Sequence, residues 1–475
     1  MRCACSSLQT INAKVAAVAT KAADLSQASA WSPVTGTSTN SGVTVSATSG
    51  ATPATLSFNV DRVATNSVLD LGTHALTDKM VANGSTGITF TKPDGTTIDL
   101  NTGDGTVQGF VNALNSADSG ANATLVKLTD GSYRVQVTST ATGAKSMALT
   151  ADDTTSSMAV TGTLTQGLTA QITVGSDVIT SDSNTFTGLM PNVDVTLASG
   201  ATGATTISVS RDATSLATKV KALVDAANSA LGDMATLTAY DPGTQTAGLL
   251  TGDSTLRSVR DAVLDAVTSG IGGKSLASVG IQTDKSGNIT FDQSKFTAAY
   301  QADPTGTAKL FTGSVSYSGT GTATLQASTW RTTEGSYAVD ATAQTINGKP
   351  ATVVGTWMTG ATGDQAEGLS ISLSAGASGT VTFQQGLAAK LEAVAQRASN
   401  TASGTITAEI DGRNSSIDRM NSDIADWDVR LQARQEALQA QYAALEVALG
   451  KMKDQASWLA GQISSLPSTS SSSGN

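Results

Sequence analysis

Near the start of the chain Leu8, Ile11, Val15, Val18, Ala22 and Leu25 recur at alternating steps of three and four. That is the a/d spacing of a helix laying one stripe against a partner, so a coiled-coil helix is predicted over residues 1–30. The far end repeats the pattern over a longer span. Ile410, Ile417, Ile424, Leu431, Leu438, Leu445, Met452, Leu459 and Leu466 stand seven apart. A strict seven-residue repeat imposes a left-handed supercoil, and at ~1.5 Å per residue it predicts a rod of about 85 Å within residues 396–466. A second seam is less regular: Met420 and Trp427 trail the first seam by three, Tyr442, Leu449, Ala456 and Ile463 by four, with the crossover at Arg434 and Gln435. The two terminal helices are expected to pair as a leg. The Ser-rich tail at 467–475 is expected to be disordered.

Between the ends the period shortens to two. Ile88 and Phe90, the turn Lys92-Pro93-Asp94-Gly95-Thr96, then Ile98 and Leu100 predict a hairpin. Asp130-Gly131 opens a strand with Tyr133, Val135 and Val137 on one face, and Val193, Val195, Leu197, Ile207 and Val209 repeat the alternation. Helical spacing returns at 107–115, 216–231 and 256–267. The Thr/Ser/Gly-rich stretch 31–53, with Trp31, Pro33 and Pro53, reads as an extended connection. The expectation is an α+β protein: a coiled-coil leg from both termini, an antiparallel β head at 54–210 with an insert at about 75–160, and a mixed α/β domain at 211–395 with a small β insert at about 312–385.

Composition narrows the chemistry. Hydrophobic residues make up 39%, enough for real cores, while Lys+Arg 28 against Asp+Glu 38 leaves a net charge of −10. That balance disfavours nucleic acid and anionic membranes as partners, since phosphate neutralisation needs clustered Lys and Arg. No run of about 18 apolar residues exists, so no membrane-spanning helix is expected. One histidine, His74, removes His-based triads and two-His metal sites, and it is placed on a solvated loop. Cys3 and Cys5 are too few for a structural zinc site and are placed in an irregular leader. Asp241, Asp253, Asp284, Asp292 and Asp303 invite a glycosidase reading, but an aromatic content of 4% suits no sugar-lined cleft, and turns or helix caps are the plainer home. Asp284, Ser286, Asn288 and Asp292 only faintly resemble a calcium loop, because Gly287 is misplaced and no Glu closes it, so a hairpin turn is expected. No cofactor or metal is expected. Trp427, Tyr442 and Trp458 either pack within the coiled coil or anchor it against a partner protein.

Longer blocks are more specific. Leu276-Ala277-Ser278-Val279-Gly280-Ile281, Gly287-Asn288-Ile289-Thr290-Phe291-Asp292, Phe296, Tyr300, Asp303-Pro304 and Leu310-Phe311 closely resemble a signature of the flagellar hook-associated protein 2 family, the filament-capping FliD proteins. Val224-Asp225, Asn228, Leu237, Tyr240-Asp241, Gly248, the run Leu250–Arg257, and Gly404-Thr405-Ile406-Thr407 resemble it too. A module around Val107–Gly143 is similar to the β insert of flagellins and hook-associated proteins, and Gly335–Gly348 looks like a degenerate copy. The family carries a further N-terminal helical stretch ahead of the region matching Leu8. Here Met1-Arg2-Cys3-Ala4-Cys5 stands in its place, which makes a fragment or a downstream start the expectation.

The resemblance implies a structural assembly protein with no enzymatic activity. It is expected to be secreted by the flagellar type III route with an export chaperone and to sit at the filament tip beyond the hook–filament junction proteins. There it forms a closed homo-oligomeric ring, a pentamer in the family, and retains flagellin while promoting its folding and polymerisation. Leu8, Ile11, Val15, Val18 and Leu25 with Ile410, Ile417, Ile424, Leu431, Leu438, Leu445, Met452 and Leu459 are the expected coiled-coil and oligomer interface. Trp427, Tyr442 and Trp458 are the expected flagellin contacts. Two alternatives stay open: a secreted adhesin with Thr/Ser-rich β domains, which overlaps with capping where caps also adhere, and another hook-associated or flagellin-like filament protein.

Overall fold

The computed structural model describes residues 2–81, 87–151 and 162–465. Leu466 and the tail 467–475, expected to be disordered, lie outside the described residues, as do parts of the 75–160 insert. The fold is α+β, as expected: eight α-helices and a series of antiparallel sheets among the described residues.

The helices are α1 (Arg2–Ser26), α2 (Val107–Ser116), α3 (Ala213–Thr238), α4 (Ser254–Thr268), α5 (Gln293–Ala302), α6 (Pro304–Thr312), α7 (Leu387–Ser399) and α8 (Thr405–Ser464). Their starts are set by short oxygen-bearing side chains that accept from the otherwise unpaired first-turn N–H groups. Thr106, Asp212, Asp253, Asp292 and Asp303 each do so, at α2, α3, α4, α5 and α6 respectively. Pro304 follows Asp303 at the first position of α6, where its missing N–H costs nothing.

One apolar core unites α1 with α3 to α7 and the first turns of α8. Leu8, Ile11, Val15, Val18 and Leu25 are all buried there, packed chiefly on α3 and α7. Trp31 closes it, with Phe296, Tyr300 and Phe311 around the indole; Tyr300 donates its hydroxyl to the Trp31 carbonyl at 2.6 Å, and Trp31 donates Nε1–H to the Leu25 carbonyl.

The head is two β units. Strands 34–38, 203–211, 54–62, 170–174 and 177–181 form one sheet in that order, and 185–190, 193–197 and 43–47 form another. Val43, Phe58, Ile172, Phe186, Val195 and Ile207 share one core with both. The insert has a sheet of 163–165, 66–74, 133–142 and 121–127, a hairpin 87–91/97–101 with 148–151 added, and α2. A separate β unit, 314–384, stacks two sheets around Tyr337, Ile346, Ile371, Val381 and Phe383.

Four expectations need correction. Residues 31–53 are no mere connection, since Val34–Ser38 and Val43–Ala47 are strands paired to Ile207–Arg211 and Val193–Leu197. Cys3 and Cys5 lie on α1, with Cys5 buried, because the helix begins by Arg2. His74 ends strand 66–74, where Nε2 meets the Leu71 carbonyl at 2.8 Å and Nδ1 lies 3.8 Å from Asp78. The fourth concerns the terminal helices. They meet antiparallel only over a short stretch, Cys5 beside Asn414 and Asn12 beside Thr407, so α1 cannot line the remainder of α8. At ~1.5 Å per residue α8 spans about 90 Å and α1 less than half of that.

Candidate functional site

α8 is the element whose chemistry is not spent on the fold. A turn after α7 and Gly404 set its start, and Ile406 and Ile410 bury themselves in the helical core. A ring of polar contacts then mounts it. Arg413 Nε and Nη2 donate to Glu409 Oε1, and Nη2 lies 3.3 Å from Asp253 Oδ2, the carboxylate that also caps α4. Cys5 Sγ donates to Asn414 Oδ1 at 3.0 Å, and Asn12 Nδ2 to Thr407 Oγ1 at 3.3 Å. Two acceptors in this mount, Asn12 Oδ1 and Glu409 Oε2, are buried without a hydrogen-bond partner.

Beyond the mount, every described residue from Asp418 to Ser465 is exposed or nearly so. Of the predicted seam, Ile410 is buried and Ile417 half-buried against the helical core. Ile424, Leu431, Leu438, Leu445, Met452 and Leu459 are exposed by 59, 60, 40, 52, 55 and 54%. The fold therefore brings Leu8 to Leu25 together with α3 and α7, not with these positions. Trp427, Tyr442 and Trp458 stand exposed on the same rod, Trp427 under the Arg430 guanidinium at 4.6 Å. Ala, Gln, Glu, Leu and Arg dominate residues 431–446, which keeps the rod helical without tertiary support. A helix of this kind offers an apolar stripe with a polar surround, the chemistry of a coiled-coil partner.

The acids raised by the sequence all have structural posts. Asp253, Asp292 and Asp303 cap helices, and Asp241 closes the hairpin 240–247 by accepting from Gly243 N and Thr244 Oγ1. Asp284 closes the turn between strands 281–283 and 289–291; bonds from the Asn288 side chain and backbone hold its carboxyl below the usual range. Three features of the helical unit escaped sequence reasoning: the Arg413–Asp253 tie, the Trp31 cluster and Glu392. Glu392 was findable, as a lone acid on the apolar stripe Ala388, Leu391 and Ala395.

Two family models match the chain. The model for the flagellar hook-associated protein 2 C-terminus matches residues 167–454, more than half of the chain, and the model for its N-terminus matches residues 4–67. The chain belongs to the flagellar hook-associated protein 2 family. Similar family members include flagellar hook-associated protein 2 of Escherichia coli O157:H7, 29% identical over 54% of this chain and 60% of that protein. Lateral flagellar hook-associated protein 2 of Vibrio parahaemolyticus is 30% identical over 54% and 62%. These matches span less than two thirds of the length of either curated relative. The crystal structure of the flagellar cap protein FliD D1-D2-D3 domains from Escherichia coli superposes with a TM-score of 0.57 at 21% identity, over 86% of this chain and 99% of that one, and supports the fold. The long C-terminal helix α8 fits the helical leg of that fold.

Proposed function

We propose that the chain is the structural cap of a bacterial flagellar filament, retaining exported flagellin at the tip and promoting its folding and polymerisation. The observation that carries this reading is α8. It is a long helix with a seven-residue apolar repeat that the described residues leave uncovered, projecting from a folded base in which Asp241, Asp253, Asp284, Asp292 and Asp303 are occupied in caps and turns. Such a rod works by reversible packing and needs no bond-making chemistry. Copies of the chain close into a ring, a pentamer by family precedent. The seam from Ile424 to Leu459 packs within the ring or against the filament, and Trp427, Tyr442 and Trp458 contact flagellin. Export by the flagellar type III route with a chaperone, and a position beyond the hook–filament junction proteins, complete the proposal.

The test is the mass of the purified chain measured particle by particle across concentration. A discrete species of a few subunits that stops growing is the expected result. Open-ended growth would replace the cap by a filament-forming role, and a monomer at every concentration would remove the ring.

A further inference from the structure

Where the helical unit meets the β unit 314–384 there is an open cavity of about 530 Å³. Its helical wall carries Gln27, just past α1, and Glu392 of α7; its β wall carries Ser328, Trp330, Arg331 and Glu367. A concave space of this size between two folded units, with a few convergent polar groups, is the usual setting of a small-ligand site. Three charged side chains line it, and two of them answer each other. Arg331 Nε lies 3.6 Å from Glu367 Oε1, and its guanidinium stacks over the Trp330 ring at 4.4 Å. Glu367 Oε2 accepts from Gly363 N at 2.8 Å, so both of its oxygens are engaged.

Glu392 is the charge left over. It is 9% exposed, yet only one of its oxygens is bonded: Oε2 accepts from Ser26 Oγ at 2.9 Å. Oε1 accepts from no donor among the described residues. The cations nearest in the fold are placed for other contacts. Lys390 of α7 pairs with Glu334 at 3.5 Å. Lys309 of α6 pairs with no acid among the described residues, and it lines a second cavity, of about 350 Å³, which shares Ser328 but not Glu392.

Two neutral groups on the same walls are also uncommitted. Ser328 is 4% exposed, and its hydroxyl is buried without a hydrogen-bond partner. Buried hydroxyls are nearly always satisfied, so an orphan in a cavity wall marks a place for a bound group. The Gln27 amide donates through Nε2 to Ser26 Oγ at 3.4 Å, and its carbonyl accepts from nothing among the described residues.

We propose that this cavity binds a primary ammonium group, carried by a small aliphatic amine or by a lysine side chain of another protein. Glu392 Oε1 meets its charge, and Ser328 Oγ and the Gln27 carbonyl accept its other two hydrogen bonds. An ammonium has three N–H donors and no acceptor, which matches three free acceptors on walls whose one unpaired charge is negative. A carboxylate or phosphate would face Glu392 unshielded, and a neutral ligand would leave the buried acid without a counter-charge.

Isothermal titration calorimetry on the full chain, in phosphate buffer at about pH 8 where alkylamines are charged, tests the site. The probes are n-butylamine, lysine capped at its amino and carboxyl groups, and n-butanol as an uncharged control. The expected result is saturable binding of n-butylamine and none of n-butanol. Binding of capped lysine as well would assign the site to protein side chains, and its exclusion would assign it to free amines. Glu392→Gln keeps the shape, removes the charge and should weaken amine binding roughly 10- to 100-fold. Ser328→Ala should weaken it about 2- to 10-fold, and serves if Glu392→Gln does not fold. Ser314→Ala, on the second cavity alone, should bind as the parent does. Absence of saturable amine binding, equal binding of n-butanol, or an affinity unchanged in Glu392→Gln or Ser328→Ala would overturn the site; so would an equal loss in Ser314→Ala.

Discussion

Leu431, Leu438 and Leu445 test whether the α8 seam serves assembly or folding. In the single chain they remain 60, 40 and 52% exposed, so covering them fully would bury the equivalent of about one and a half leucines. A fully buried Leu contributes roughly 1.5–3 kcal/mol, so the three together contribute about 2–5 kcal/mol per chain to whatever covers them. Replacing all three by Ala removes most of that and leaves the helix intact, since Ala is the best helix former. At ~1.4 kcal/mol per tenfold, association should weaken by roughly 10- to 1,000-fold. Particle masses across concentration and a thermal unfolding scan read the two halves separately. The expected outcome is loss of the multi-subunit species with an unfolding midpoint close to that of the parent. A large fall in the midpoint with assembly intact would refute the reasoning, because it would place the seam inside the fold of the single chain.

Other outcomes follow from single contacts. Tyr300→Phe deletes the donor to the buried Trp31 carbonyl and should cost about 1–3 kcal/mol in denaturant unfolding. Arg413→Met leaves the capping carboxylate Asp253, whose side chain is 4% exposed, without its cation. Amide exchange over 405–414 should quicken, corresponding to about 1–3 kcal/mol, while α3 stays protected. Glu392 has a folded-state pKa raised by burial, so its contribution to stability is fully present below the ordinary glutamate range and is lost as pH rises through the folded value. Glu392→Gln should therefore unfold like the parent at about pH 4 and at a higher temperature than the parent at about pH 8. Equal midpoints at the higher pH would contradict the burial of this acid.

The parts legible in sequence are those where one local rule decides. Pro93-Asp94-Gly95 gives the hairpin 87–101, and Asp303-Pro304 separates α5 from α6. Strand alternation at 133–137 and 193–197 gives faces whose Val and Leu residues are buried. The stretch 31–53 failed because its strands carry little beyond Val34, Val43 and Val45. Their identity comes from partners far along the chain, Val34 opposite Arg211 and Val43 opposite Leu197, which no local pattern announces. Cys5 failed for a related reason: a thiol reads the same at a ragged end as on the buried face of a helix. Glu392 shows the converse, a visible irregularity on an apolar stripe whose burial is matched by the Ser26 hydroxyl at the end of α1, a partner that no local pattern announces.

The heptads raise a sharper point, because α1 and α8 carry the same seam spacing and meet different fates. What separates them lies beside the seam. On α1 the stripe is widened by Ala4, Cys5 and Ala19, all buried, so its apolar face is broad enough to meet α3 and α7 together. On α8 beyond the mount the flanks hold Asp418, Asp423, Asp428 and Arg430, which confine the apolar surface to a narrow seam. A narrow seam flanked by charge is satisfied by another rod and not by a globular core, where those charges would lose water without partners. Bundle and rod are therefore told apart by the residues flanking the seam and not by the seam itself. The same flanks explain why α8, having spent Ile406 and Ile410 on its mount, leaves the chain that made it with Ile424 to Leu459 still to be covered.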